Sequence, residues 1–247
     1  MLLGWIIVFS VLGSVGAIAG AALMLLFPEG MRKNLLPFLL SFATGTLLGA
    51  AFLGMIPRSL QQATPITIST TVLVGIVIFF ILEKIVIWRH CHEPKCEVHG
   101  STGPLILIGD AFHNFVDGFV IAAAFLTSIP LGIAASLAVI AHEIPQEVGD
   151  FAILLDNGYS KTRALILNTL SSLATLPGAV IAYFFLSASR EAMPFILALS
   201  AASFIYIAVA DLVPNLHRQV GLKPALIQIV LMLAGIGTIA VFQLMPD

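Results

Sequence analysis

Charged residues are scarce in this sequence: Asp, Glu, Lys and Arg make up 10% of its 247 residues, and 59% are hydrophobic. A soluble globular protein carries roughly 25% charged residues, because its surface must stay wetted by water. This chain has too few charges to cover such a surface. The composition therefore excludes a soluble globular protein and predicts one integral membrane domain covering residues 1–247.

Cysteine and surplus basic charge are also scarce. The net charge of -2 leaves no basic excess for binding nucleic acid. The two cysteines, Cys91 and Cys96, lie in one polar loop and cannot form the disulfide framework of a secreted protein. No Lys or Arg precedes the first apolar run, which is too long for the core of a signal peptide, so we expect a retained first helix.

Long apolar runs are abundant instead. A helix needs about 20 apolar residues to cross the hydrocarbon core, and eight stretches of the sequence meet this requirement. They cover residues 2–27, 35–56, 66–89, 104–127, 130–155, 162–187, 191–213 and 222–245. The predicted fold is an all-α, multi-pass membrane protein embedded in the lipid bilayer.

The distribution of Lys and Arg predicts the orientation, because cytoplasmic loops carry an excess of these residues. Nine of the 11 basic residues lie in or beside odd-numbered loops. These are Arg32, Lys33, Lys84, Arg89, Lys95, Lys161, Arg163, Arg218 and Lys223. Only Arg58 and Arg190 belong to even-numbered loops. We therefore predict cytoplasmic odd-numbered loops and both termini outside, with the cell membrane as the location.

Ionisable side chains interrupt the fourth and fifth apolar stretches. Each such group costs about 2.5 to 3.5 kcal/mol at the centre of a membrane helix, so its presence indicates function. On the fourth helix the polar side chains share an arc of about 100°, and they are Asp110, His113, Asn114 and Asp117. On the fifth they share about 140°, and they are His142, Glu143, Gln146, Glu147 and Asp150. The two stripes predict a metal site between helices 4 and 5.

The donor atoms of these stripes are imidazole nitrogens and carboxylate oxygens. This mixture suits Zn²⁺ and also Fe²⁺, Mn²⁺ or Cd²⁺. Pro145 lies inside the second stripe, where it cannot donate to the carbonyl of Ala141 and is expected to kink the helix. A carbonyl freed at membrane depth is tolerated where it lines a cavity, so the kink is expected to face the ion path.

Other polar residues are weaker evidence for a metal site. Four on the sixth helix are interpreted first as interhelical packing groups, namely Asn168, Ser171, Ser172 and Thr175. Whether Asp110, Asp150 and Asp211 contact the metal stays open. The cytoplasmic loop at about 90–103 contains three His and two Cys between His90 and His99. Cytosolic thiols stay reduced, so metal binding is favoured over a disulfide there, although the role of the loop stays open.

The motifs of the fourth and fifth helices resemble those of the ZIP (Zrt/Irt-like protein) family of divalent metal transporters. Residues 113–118 read His-Asn-Phe-Val-Asp-Gly, which is similar to the family's His-Asn-x-x-Asp/Glu-Gly. Residues 142–151 read His-Glu-Ile-Pro-Gln-Glu-Val-Gly-Asp-Phe, which is similar to His-Glu-Ile-Pro-His-Glu-x-Gly-Asp-Phe. Residues 204–211 are similar to the family's seventh helix. The resemblance implies inward transport of divalent ions, zinc above all.

The resemblance also implies roles for individual residues. It assigns a first site to His113, Asp117, His142 and Gln146. It assigns a second site to Asn114 and Glu143, with Asp117 and Gln146 able to bridge the two. Glu147 completes the predicted set of metal ligands. The sequence departs from the family at Gln146, which replaces a second His. It departs again at Ala50 and Gly54, where relatives often carry Asp and His, so that an outer capture contribution from helix two is missing.

Two other functions compete with transport. An intramembrane zinc metalloprotease would need His-Glu-x-x-His, in which the second His is a zinc ligand, and this sequence has Gln146 there. A metal-binding membrane sensor would be expected to carry a sizeable soluble signalling domain, and these residues contain none. We therefore favour transport and expect no enzyme activity. The oligomeric state stays open, with a homodimer as one option.

Overall fold

The computed structural model describes residues 1–88 and 102–245, which form helices and no strand. Eight of these helices are long and apolar enough to cross a membrane, which confirms the predicted number. They are α1 (Leu2–Leu25), α2 (Glu29–Leu60), α3 (Pro65–Trp88), α4 (Thr102–Thr127), α5 (Ile129–Asp156), α6 (Lys161–Ala188), α7 (Arg190–Leu216) and α8 (Leu222–Gln243). The metal site predicted for the His90–His99 loop lies outside the described residues.

Serine side chains cap the N-termini of α5 and α6, the two helices on either side of the fifth loop. The Ser128 hydroxyl accepts a hydrogen bond from the backbone of Leu131 at the start of α5, and Pro130 occupies the first turn. The Ser160 hydroxyl does the same for Arg163 at the start of α6. Each cap satisfies one of the backbone N–H groups that a helix start leaves unpaired.

The second helix is longer than predicted. It begins at Glu29 and continues past Pro57 to Leu60, whereas the sequence suggests 35–56. A π-helical turn over Ala50–Met55 precedes Pro57, which then lies in the first turn of the α-helical segment Ile56–Leu60. Pro lacks an N–H and its ring clashes with the carbonyl four residues earlier, and a π turn accommodates both within a continuous helix. Pro57 therefore does not end α2.

The same arrangement recurs in α7, where a π-helical turn over Ile207–Leu212 precedes Pro214. A third π turn occupies Leu12–Gly16 in α1. The sixth helix is interrupted instead by a turn, so that its α-helical segments are Lys161–Ser172 and Thr175–Ala188. None of these interruptions is predicted from the sequence.

The helices pack as two groups. In the first, α4 packs mainly against α6 and α5, and α1 packs against α5 and α6. In the second, α8 packs mainly against α2, and α3 packs against α7. The two groups meet where α2 contacts α5. The polar stripes of α4 and α5 thus lie within one group and close to the contact with the other.

Glycine allows the backbones of α4 and α6 to approach closely. A Cβ at Gly118 would lie 2.1 Å from the carbonyl oxygen of Thr175, and one at Gly178 would lie 2.2 Å from that of Phe115. No other residue fits at either position without moving a helix. The contact between α2 and α8 has the same reciprocal form, with Gly45 against Met232 and Gly235 against Phe42.

Candidate metal centre

Four predicted ligands meet between α4 and α5. The Nε2 atom of His113 lies 3.3 Å from Oε1 of Glu143, and the Nε2 atom of His142 lies 3.3 Å from Oδ2 of Asp117. The two Nε2 atoms are 3.2 Å apart. His113 and Asp117 occupy successive turns of α4, and residues four apart on a helix share one face. Asp117, His142 and Glu143 are buried, and the His113 side chain is 23% exposed.

The spacing of these atoms suits a zinc ion. Zinc binds nitrogen and oxygen ligands tetrahedrally at about 2.0 to 2.2 Å, which separates neighbouring ligand atoms by roughly 3.3 to 3.6 Å. The separations among the two imidazoles and the two carboxylates run from 3.2 to 3.8 Å where they are measured. One atom from each of the four side chains lies within 4.8 Å of all the others.

The carbonyl group of Ala138, one turn earlier on α5, determines which ring nitrogen of His142 carries the proton. Its Nδ1 atom lies 2.9 Å from the carbonyl oxygen of Ala138. A carbonyl oxygen can only accept, so Nδ1 carries the proton and donates it to this hydrogen bond. The Nε2 atom then keeps its lone pair for a metal ion, which is the usual arrangement of a metal-binding histidine.

The carboxylates of this group have oxygens that no described hydrogen-bond donor satisfies. Neither oxygen of Asp117 or Glu143 accepts a hydrogen bond from the described residues, although both side chains are fully buried. A buried charge is costly unless it is paired or coordinates a metal. The donor set therefore fits a bound cation, and a divalent ion would satisfy these oxygens together with the two imidazoles.

A second acidic group adjoins the first. Asp110, Glu143 and Glu147 each place one oxygen within 4.8 Å of the others, so Glu143 is common to both groups. Both oxygens of Glu147 also lack a hydrogen-bond donor among the described residues. This group offers oxygen only, which is the donor type that suits harder cations such as Mn²⁺.

Gln146 and Asn114 lie beside this second group. The amide nitrogen of Gln146 is 3.2 Å from Oδ1 of Asp110, and that of Asn114 is 3.0 Å from the same oxygen. The structure thus places the Gln146 amide beside Asp110. The family resemblance instead implies that Gln146 is a ligand of the first site. Metal ligation by either amide stays a prediction.

A cavity of about 1010 Å³ adjoins the candidate ligand groups. Its lining includes His113, His142 and Asp110 and also Lys33 and Arg218. These two basic residues belong to the helix ends predicted to face the cytoplasm. Further acidic groups line the same cavity, namely Glu83, Asp150 and Asp211.

Small apolar side chains occupy α5 before His142. Ala134, Ala135 and Ala138 on α5 are fully buried. Phe204 on α7 is fully buried as well, with its ring centroid 6.2 Å from that of His142. On α5 the cavity is lined by residues between His142 and Asp150 and by none of these three alanines.

The profile of the ZIP zinc transporter family matches residues 88–243. The chain belongs to this family. It is 34% identical to zinc transporter ZIP13 of Pongo abelii over 226 residues, which are 85% of this chain and 67% of that protein. It is 31% identical to zinc transporter YKE4 of Saccharomyces cerevisiae over 229 residues, or 78% of this chain and 66% of that protein. It is 42% identical to human zinc transporter ZIP4 over 123 residues, half of this chain but 19% of that protein.

As a ZIP chain, the protein is a multi-pass membrane protein of a transporter family rather than a metalloprotease. It spans about two thirds of the length of ZIP13 and YKE4, and only 31% of a third relative, the uncharacterized zinc transporter P8A3.03 of Schizosaccharomyces pombe. The recognition made from the motifs at residues 113–118 and 142–151 is confirmed.

The sequence analysis missed the contacts of α6 with the candidate metal centre. The Thr175 hydroxyl lies 3.0 Å from Oδ1 of Asn114, and the Asn168 amide nitrogen donates to the backbone oxygen of Glu147 at 3.2 Å. Both had been interpreted as packing residues. Thr175 also provides the backbone carbonyl at the close approach to Gly118, and a small residue on α4 within the polar stripe is the signal that could have indicated this contact.

Proposed function

We propose that this ZIP chain moves divalent metal ions, with zinc as the principal ion, into the cytoplasm through the group formed by His113, Asp117, His142 and Glu143. The observation that carries the proposal is the zinc-compatible spacing of these four side chains beside a cavity that Lys33 and Arg218 also line. The names of ZIP13, YKE4 and ZIP4 as zinc transporters support the choice of ion.

Inward movement requires no coupled pump on energetic grounds. A divalent ion crossing an inside-negative potential of 100 mV gains about 4.6 kcal/mol. The cavity is also lined by three acidic side chains, Glu83, Asp150 and Asp211. These carboxylates attract a released cation along the cavity toward the predicted cytoplasmic side.

The ion is expected to be zinc before Fe²⁺, Mn²⁺ or Cd²⁺. Two imidazoles and two carboxylates at tetrahedral spacing favour zinc, whereas a site made of oxygen alone would favour harder ions. All four cations have some affinity for a site with both nitrogen and oxygen donors, so selectivity has to be measured as a ratio of transport rates. The predictions of a cell-membrane location and of a homodimer also belong to this proposal.

Ion flux into proteoliposomes tests the function. The purified chain is reconstituted and offered Zn²⁺, Fe²⁺, Mn²⁺ and Cd²⁺ separately, and we expect zinc to enter fastest. His142→Ala should abolish zinc flux while folded protein remains in the membrane, because it removes a buried ligand. His217→Ala is the matched control, since His217 is an exposed imidazole at the end of α7. Full-rate zinc flux by the His142→Ala protein would refute the site assignment.

A further inference from the structure

A glutamate on α3 and a tyrosine on α7 are joined in the wall of the cavity. The Tyr206 hydroxyl donates a hydrogen bond to Oε2 of Glu83, and both side chains are partly buried. The Tyr206 ring stacks on Phe79, with the ring centroids 6.4 Å apart and an angle of 29° between the planes. All three residues line the cavity that adjoins the candidate ligand groups. The hydrogen bond therefore holds a charged group of α3 at the surface of the proposed ion path.

Glu83 is an ionisable group that the metal centre does not use. An ionisable residue in a membrane helix indicates function when it faces a cavity. Asp211 on α7 lines the same cavity, and its carboxylate is close enough to that of Glu83 for the two charges to repel each other. A divalent cation between two such carboxylates relieves the repulsion. An ion that leaves the metal centre through the cavity therefore meets two groups that attract it.

The Tyr206 hydroxyl weakens one of these two groups as a ligand. A hydrogen bond to a charged group contributes about 1.5 to 3 kcal/mol. A cation that binds Oε2 of Glu83 would have to displace this bond, and its affinity is lower by the free energy of the bond. An ion path needs groups that attract the ion and still release it. The hydrogen bond from Tyr206 has the effect that such a path requires.

We propose that Tyr206 is a positioning residue for ion release, whose hydroxyl holds one oxygen of Glu83 and so prevents Glu83 and Asp211 from retaining the divalent cation that leaves the metal centre. The inference rests on the proposed function, because it concerns the ion that the chain carries. The competing role of the same hydrogen bond is structural, as a link that holds α3 against α7. The two roles predict different kinetics.

Tyr206→Phe removes the hydroxyl and keeps the ring that stacks on Phe79. With Oε2 of Glu83 free, zinc should leave the cavity more slowly. Slow release follows the entry steps, so the maximal rate of zinc flux and the half-saturating concentration should fall by the same factor. We expect this factor to be about tenfold, the effect of losing one hydrogen bond to a charged group. An unchanged maximal rate, or a lower one at an unchanged half-saturating concentration, would overturn the proposal.

The double variant Tyr206→Phe/Glu83→Gln distinguishes release from structure. Gln keeps the shape of Glu83 without its charge, so it cannot retain the cation. The double variant should therefore regain the maximal rate of Glu83→Gln alone. A structural link between α3 and α7 would still be missing in the double variant, and its rate would stay as low as in Tyr206→Phe. That low rate would refute the role in release.

Tyr183→Phe on α6 is the matched control. It removes a hydroxyl from the same membrane domain, but Tyr183 is not among the described residues that line the cavity, and its ring packs against Phe184. We expect the maximal rate and the half-saturating concentration of Tyr183→Phe to equal those of the unchanged chain. An equal fall of both quantities in this variant would show that the effect does not depend on Glu83, against the proposal.

Zinc binding to the purified full chain tests the same inference without transport. His142→Ala serves as the background, because it removes a ligand of the metal centre. Equilibrium dialysis against zinc ions should show that Tyr206→Phe tightens the remaining binding by about tenfold in this background. Adding Glu83→Gln should abolish the gain. A gain that persists without the Glu83 charge, or no gain at all, would contradict the assignment.

The two measurements separate a failure of this inference from a failure of the proposed function. A chain that does not carry zinc across proteoliposomes, but whose zinc binding tightens in Tyr206→Phe and relaxes with Glu83→Gln, would refute transport and leave the effect of Tyr206 on Glu83 intact. A chain that transports zinc, and whose Tyr206→Phe variant has unchanged flux and binding, would refute the inference and leave transport intact.

Discussion

Replacing Gly118 by Ala should damage the metal centre without touching any ligand. The added Cβ would lie 2.1 Å from the Thr175 carbonyl oxygen and 2.6 Å from the Ala179 backbone nitrogen, where ordinary contact begins at 3.4 Å. Both neighbours are backbone atoms, so α6 as a whole has to move away by about 1 Å. The hydrogen bond of 3.0 Å from the Thr175 hydroxyl to Asn114 would then be stretched beyond its useful range.

The size of the effect follows from the cost of overpacking. Forcing one extra methyl group into a close-packed contact costs roughly 1 to 3 kcal/mol. For a chain of this size a cost of about 2 kcal/mol lowers Tm by roughly 4 to 8 °C. We expect a decrease of this order in Gly118→Ala, measured by thermal unfolding in detergent, together with a reduced rate of zinc flux.

Gly149→Ala is the matched control for this prediction. Gly149 is a helical glycine on α5 beside Asp150, and a Cβ there would meet no atom within 4 Å. The added methyl group should leave Tm unchanged or raise it slightly, because Ala is favoured over Gly in a helix by about 1 kcal/mol. Equal Tm and equal zinc flux in both variants would refute the argument that the α4–α6 approach positions the site.

The remaining predictions concern the ligands themselves. Zinc affinity should fall between pH 7 and 5, because neutral imidazoles at His113 and His142 bind the metal and acidification protonates them; a binding isotherm that is independent of pH over this range would contradict the ligand assignment. Gln146→His should raise the ratio of zinc to manganese flux, because an imidazole nitrogen favours zinc more than an amide does. The same variant loses the amide hydrogen bond to Asp110. An unchanged ratio in competition assays would show that position 146 does not contact the ion.

The sequence predicted those features that depend on local composition. Apolar length gave the eight helices, and helical periodicity placed His113 and Asp117 on one face of α4 and His142 and Glu143 on one face of α5. Such faces must be buried together in a bilayer, because ionisable groups cannot face lipid cheaply. The sequence alone therefore predicts that the polar stripes of α4 and α5 face each other.

Features that depend on the register between helices could not be predicted. Thr175 reaches Asn114 only because Gly118 and Gly178 bring two backbones together at one particular height. A threonine in a membrane helix otherwise looks like any packing residue. The orientation of the Gln146 amide toward Asp110 is likewise a consequence of packing, since the sequence places that amide equally well near either group.

The buried alanines that precede His142 on α5 have a consequence for the kinetics expected of the proposed transport. On α5 the cavity is lined by His142 and residues after it, whereas Ala134, Ala135 and Ala138 are fully buried, so we expect the centre to exchange ions with one compartment at a time. We then expect each transported ion to require one rearrangement of helices, which would limit the rate. Uptake should saturate with concentration and depend steeply on temperature. Alanine has no rotamers to reset, so sliding helices can pass one another there without repacking their side chains.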